Sequence, residues 1–153
     1  MAGVADRIVA LTMTKLKLLL QVVCLNALLL LTGCDDGNPF DYVPVSGRLS
    51  YEDGTPIPAT GMKLQFEPID IKSAGGMYAR VATADIDAQG NFANATSYKY
   101  GDGLVPGRHK VAIGYATDKN GKLLVPKSCT TLGSTELIVD TASLPIEIKV
   151  PKP

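Results

Sequence analysis

The feature that most constrains the fold of this chain is an alternation of apolar and polar side chains. Four segments carry it, at residues 45–51, 62–67, 109–115 and 144–150. Successive side chains of a β-strand point to opposite sides, so each segment would bury one face and expose the other. No stretch of the chain after Cys34 shows a sustained helical period of apolar side chains. The pattern therefore predicts half-buried strands.

Turn-forming residues separate these strands at fairly regular intervals. Glycine allows positive φ and proline fixes φ, so clusters containing them interrupt strands. The clearest turns are predicted at residues 52–56, 87–90, 105–107 and 118–121, and weaker strands fit at 78–85, 91–95 and 136–139. We predict an all-β fold, a single antiparallel β-sandwich of about seven strands spanning residues 43–153. Its most buried side chains are expected to be Phe66, Phe92, Val111 and Ile113.

The chain before this region contains an apolar run at residues 18–31, preceded by Lys15 and Lys17. The run has 14 residues, whereas a transmembrane helix needs about 20. A basic start, a short apolar middle and small residues at its end are typical of an export signal. We expect residues 1–33 to be a cleaved signal helix. A start at Met13 would give a more compact signal, and we predict that Met13 is the true start.

The apolar run ends at Leu31, and Thr32, Gly33 and Cys34 follow it directly. This tetrapeptide resembles the lipobox of bacterial lipoproteins. The resemblance implies cleavage between Gly33 and Cys34, a diacylglycerol on Cys34, and export to the cell envelope with a lipid anchor in the membrane. The alternatives are an uncleaved buried helix and an ordinary secretory signal that contains a cysteine. The sequence does not decide between the inner and the outer membrane.

Residues 34–42 are expected to be the lipidated cysteine and a short tether rich in Asp, Gly, Asn and Pro. Cleavage after Gly33 removes three basic residues and one acidic residue, leaving 12 basic and 14 acidic residues. No basic patch is therefore expected to assist the anchor, and the balance of charges argues against nucleic acid as a partner. Cys24 leaves with the signal and Cys34 takes the lipid, so Cys129 remains alone and is interpreted as a structural thiol.

Several motifs of the strand region resemble, in order, those of carboxypeptidase regulatory-like domains, a transthyretin-like family. They lie at residues 45–49, 53–57, 64–66, 83–85, 89–92 and 104–111. His109 stands where that family usually has an aromatic residue. The resemblance implies a sandwich fold and no catalysis. Many such domains are single-domain bacterial lipoproteins.

A few residues could carry chemistry. Asp85, Asp87 and Gln89 partly match a calcium loop but lack its later carboxylates, so a hairpin turn is favoured, and Asp118 is placed in a second turn. His109 is the only histidine, which argues against most metalloenzymes. Its place on an apolar strand face favours a satisfied, partly buried side chain.

Tyr98 and Tyr100 are the best candidates for exposed aromatics, although an edge strand that packs them locally is favoured. Two functions remain open. The first is a non-enzymatic envelope module, with no catalytic, cofactor or metal residues, that binds another envelope protein or a polysaccharide. The alternative is a small enzyme or ligand carrier that uses Tyr98, Tyr100, Asp102 and His109, and it requires these four side chains to converge on one pocket. The sequence does not indicate the oligomeric state.

Overall fold

The computed structural model describes residues 38–153, of which residues 39–153 form one compact unit. Nine strands and one short 3₁₀ helix, Lys127–Thr130, are present in this part of the chain. The strands are β1 (Ser46–Tyr51), β2 (Lys63–Pro68), β3 (Ser73–Ala74), β4 (Met77–Tyr78), β5 (Ala82–Asp85), β6 (Asn91–Ala93), β7 (Arg108–Gly114), β8 (Ile138–Asp140) and β9 (Ile146–Val150).

Seven of these strands form two sheets, which confirms the predicted all-β sandwich. One sheet has the order β6-β1-β9 and the other the order β5-β2-β7-β8, while β3 and β4 form a separate small hairpin. One detail differs from the prediction of a purely antiparallel sandwich. Strand β1 pairs with β9 in parallel, with Gly47 opposite Ile146 and Tyr51 opposite Val150. The three-stranded sheet is therefore mixed.

The hydrophobic core lies between the two sheets and draws side chains from both. The rings of Phe66 on β2 and Phe92 on β6 meet across the sandwich with their centroids 5.8 Å apart. Phe66, Val111 and Ile113 have no exposed surface and Phe92 is 3% exposed. All four side chains predicted to be most buried are therefore in the core.

The strand directions give the sandwich two distinct ends. Strands β2 and β7 are antiparallel, with Pro68 opposite His109 at one end and Lys63 opposite Gly114 at the other. The chain arrives at the first end, where residue Val43 bridges to Leu104 shortly before β7 begins. We call this the proximal end, and the end at Lys63 and Gly114 the distal end.

Two predicted strands end differently in the structure. Strand β7 stops at Gly114 because Tyr115 turns the backbone to a φ of 59°, and the Tyr115 side chain is 72% exposed. The alternation at residues 109–115 predicts that Tyr115 shares a buried face with His109, Val111 and Ile113, and for Tyr115 this prediction is wrong. The predicted strand at 78–85 is divided, since Tyr78 belongs to the small hairpin and β5 begins only at Ala82.

No helix within residues 38–153 is long and apolar enough to cross a membrane. The predicted signal at residues 1–33, the start at Met13 and the lipidation site Cys34 all lie outside the described residues.

Candidate functional site

His109 lies in the interior of the domain, on strand β7, and is only 1% exposed. Its Nδ1 lies 3.1 Å from the carbonyl oxygen of Gly107, and because a carbonyl only accepts, Nδ1 carries the proton. Its Nε2 is buried and makes no hydrogen bond with any described residue. The histidine expected to be partly buried and satisfied is therefore fully buried, and only one of its two ring nitrogens is satisfied. The ring fills a core position and leaves one polar atom unpaired.

Burial also determines the protonation of His109. Desolvation lowers the pKa of this imidazole, because the interior disfavours its charged form. The Gly107 carbonyl and, more weakly, the carboxylates of Asp70 and Asp140 act in the opposite direction. Asp102 is not among the groups that shift the pKa of His109. Among the four residues of the alternative function, the structure therefore provides no carboxylate partner for His109.

Asp102 organises the loop that contains the two candidate tyrosines. Its carboxylate accepts hydrogen bonds from the backbone N–H groups of Ser97 at 2.8 Å, Tyr98 at 2.9 Å and Lys99 at 2.8 Å. Asp side chains commonly satisfy turn backbone in this way. Both carboxylate oxygens of Asp102 thus hold the loop, and this structural role explains why an aspartate stands here without any catalytic role.

The tyrosines lie in this loop and not on an edge strand, so the favoured interpretation of residues 97–101 is wrong. Tyr98 is 36% exposed and Tyr100 is 92% exposed. The guanidinium carbon of Arg80 lies 4.8 Å from the Tyr98 ring centroid, a distance typical of a cation–π contact. Tyr98 is therefore held against the chain after β4, while Tyr100 projects into solvent.

The four side chains of the alternative function do not form one site. His109 is enclosed in the core, the Asp102 carboxylate binds loop backbone, and Tyr100 is almost wholly exposed. A reactive set requires its groups within hydrogen-bonding reach of one another or of a shared substrate. This geometry does not support an enzyme or carrier built on these residues.

The acidic turns are held by contacts within the protein. Asp87 accepts from the backbone N–H groups of Gln89 and Asn91 and from the Asn91 side chain, and these bonds lower the pKa of Asp87. Asp85 forms an ion pair with Lys63. Asp118 accepts from the backbone of Asn120 and Lys122. Within residues 38–153, no group of three or more His, Cys, Asp or Glu side chains is arranged to hold a metal.

Cys129 is a free thiol in the 3₁₀ helix and is 8% exposed. It contributes to the hydrophobic core. This burial agrees with the interpretation of Cys129 as a structural thiol.

The sequence did not indicate the most distinctive surface of the domain, which lies at its proximal end. Six exposed large hydrophobic side chains lie there around the small hairpin and the loop that Asp102 holds: Ile71, Met77, Tyr78, Val81, Tyr98 and Tyr100. We call these six the proximal patch. Ile71, Tyr78 and Val81, with Lys72, also line a hollow of about 360 Å³. Two of its members, Tyr98 and Tyr100, were candidates for exposed aromatics from the sequence, whereas the only sequence signal for the hairpin part was the Gly75–Gly76 pair, which allows its tight turn.

Comparison with known proteins adds no relative: no protein-family model, no curated protein and no solved structure matches this chain. The all-β sandwich therefore rests on the structure itself. The likeness to carboxypeptidase regulatory-like domains remains a prediction from the sequence motifs.

Proposed function

We propose that this chain is an exported lipoprotein, held in a bacterial membrane by acyl chains on Cys34, with a β-sandwich of the carboxypeptidase regulatory-like kind outside. The observation that carries the proposal is the position of the tetrapeptide 31–34. It follows a basic and apolar segment of signal length and precedes the compact unit, which begins at Pro39, by only a few residues. This is the order that an anchored domain requires.

We further propose that the domain is a structural or binding module and not an enzyme. The support comes from the chemistry of its polar groups. Asp102, Asp87 and Asp118 each bind the backbone of their own turns, and the single histidine is enclosed in the core. The partners of such a module would be another envelope protein or a polysaccharide, besides the membrane that holds the anchor.

The anchor is tested by metabolic labelling with an alkyne analogue of palmitate, followed by mass spectrometry of the N-terminal peptide. We expect label on the wild-type chain and none on Cys34→Ala. Two matched controls exist, because the chain has two further cysteines, Cys24 and Cys129. Cys24→Ala and Cys129→Ala should both keep the label.

The result that contradicts the proposal is equally specific. An unlabelled wild-type chain, or a Cys34→Ala chain that keeps its label, would show that Cys34 is not the lipid attachment site. Recovery of the precursor uncleaved in the cytoplasm would exclude export as well.

A further inference from the structure

The short chain between the proposed anchor and the domain determines which end of the sandwich is close to the membrane. A Cβ placed on Gly75, in the turn of the β3–β4 hairpin, would lie 3.1 Å from the Pro39 side chain. Pro39 therefore packs against this hairpin, at the proximal end. Cys34 precedes Pro39 by five residues, and five extended residues span at most about 18 Å.

The surface beside Pro39 has the side chains that suit a membrane interface. Met77 and Tyr78, which follow the Gly75–Gly76 turn, are 40% and 81% exposed. Tyr100, in the adjoining loop, is 92% exposed. Tyrosine combines an apolar ring with a polar hydroxyl and is enriched at the headgroup level of membranes.

The adjoining loop is connected to the hairpin by a direct contact. Arg80, two residues after β4, lies over the Tyr98 ring, and Tyr98 and Tyr100 share the loop that Asp102 holds in place. The hairpin and the loop therefore form one continuous surface at the proximal end. This surface is the proximal patch together with the basic side chains around it.

The charged side chains around the patch nearly balance, so they do not oppose contact with lipid headgroups. Lys72 and Arg80 are both exposed beside it. Of the nearby acids, Asp70 forms an ion pair with Arg108 and Asp102 binds loop backbone. Glu67 is half-buried on the wall of the hollow, and Asp41 is exposed in the tether. Two of the four acids are thus neutralised or satisfied within the protein, and the other two, Glu67 and Asp41, match Lys72 and Arg80 in number.

We propose that the proximal patch rests in the headgroup layer of the bilayer that holds the Cys34 anchor, with Tyr78 and Tyr100 among the lipid headgroups. The inference depends on the proposed lipid anchor and deepens it, because it gives the domain a fixed orientation on the membrane. The tether keeps the patch within reach of the bilayer. The sandwich would then present its distal end to the rest of the envelope.

The experiment uses the absence of tryptophan from the chain. Full-length protein with Tyr78→Trp or Tyr100→Trp is purified from membranes and reconstituted into phosphatidylethanolamine–phosphatidylglycerol vesicles. Tyr115→Trp is the matched control, since Tyr115 is a 72% exposed tyrosine at the distal end. The length of β2 separates the two ends by about 17 Å. Each single tryptophan is then read by its emission maximum, by quenching with brominated phospholipid and by quenching with aqueous iodide.

We expect the emission of Trp at positions 78 and 100 to shift to the blue in vesicles, to be quenched by brominated lipid and to be protected from iodide. Trp at position 115 should show none of these changes. Positions 78 and 100 that remain as open to iodide as position 115 would overturn the inference. Protection from iodide without quenching by brominated lipid would also overturn it, because a second copy of the chain would then cover the patch.

Failure of this inference can be distinguished from failure of the anchor. The mass of the N-terminal peptide is measured on the same reconstituted samples. An acylated protein with an exposed patch overturns the orientation alone and leaves the lipoprotein proposal intact. A protein without acyl chains on Cys34 overturns the anchor and, with it, the orientation.

Discussion

The contact between Phe66 and Phe92 joins the two sheets through the core, and its removal should destabilise the domain severely. Phe66 is fully buried and Phe92 is 3% exposed, so each ring is surrounded by side chains that cannot reach water. Replacing either with alanine removes a buried ring and leaves a cavity. Such substitutions cost about 3–5 kcal/mol in tightly packed cores.

The two rings should also depend on each other. Their centroids are 5.8 Å apart and their planes are inclined by 46°, within the range in which aromatic pairs gain about 0.5–1.5 kcal/mol beyond area burial. The loss expected for each alanine variant is a large part of the total stability of a domain, which is about 5–15 kcal/mol. The loss in the double variant should therefore be smaller than the sum of the single losses by about that coupling energy.

Equilibrium urea denaturation, followed by far-ultraviolet circular dichroism, measures these losses. Tyr100→Ala is the control, because Tyr100 is 92% exposed and surface substitutions usually change stability by less than about 0.5 kcal/mol. A loss below about 1 kcal/mol at both phenylalanines would refute the packing of the two sheets around this pair, given the cost expected for a buried ring. Fully additive losses would refute the contact between the rings.

Two further predictions concern the backbone and the pH dependence. Gly47→Ala should destabilise the domain by about 1–3 kcal/mol or more. The new Cβ would collide with the Ile146 carbonyl oxygen and lie 2.7 Å from the Phe92 ring. Gly133→Ala is the control, because a Cβ at this position meets no atom within 4 Å, and it should be nearly neutral in the same urea titration. Burial lowers the pKa of His109 in the folded protein. As the pH falls, the unfolded chain therefore takes up a proton on His109 before the folded protein does. The free energy of unfolding should decrease below about pH 6.5, with a slope of at most about 1.4 kcal/mol per pH unit. His109→Gln should abolish this slope between pH 6.5 and 5, and a variant that retains it would place the titration elsewhere.

The alternation of side chains was sufficient to predict the faces of the strands but not their neighbours. Phe66, Phe92 and Val111 were placed in the core correctly, since a period of two fixes which side chains share a face. A period of two is the same for parallel and antiparallel neighbours, so the sequence pattern could not indicate that β1 and β9 run in parallel. Ser50, on the opposite face of β1 from Leu49, is only 2% exposed, which the alternation of apolar and polar side chains did not predict.

The errors at single residues have local causes. Tyr115 continues the apolar pattern of β7 but adopts positive φ, which a tyrosine reaches only when its surroundings impose it. The hairpin part of the proximal patch was missed because its two strands are each two residues long, too short to show any period. The four-residue site failed because tertiary structure encloses His109, which spacing along the chain cannot reveal.

The pairing of β1 with β9 has a consequence for how this chain matures. The ribosome makes β1 about a hundred residues before β9, and pairings between distant segments form slowly because a long loop must first be closed. One edge of β1 therefore has no hydrogen-bonding neighbour until β9 has been synthesised. The three-stranded sheet is therefore completed only at the end of translation, and the domain stays incompletely folded until then.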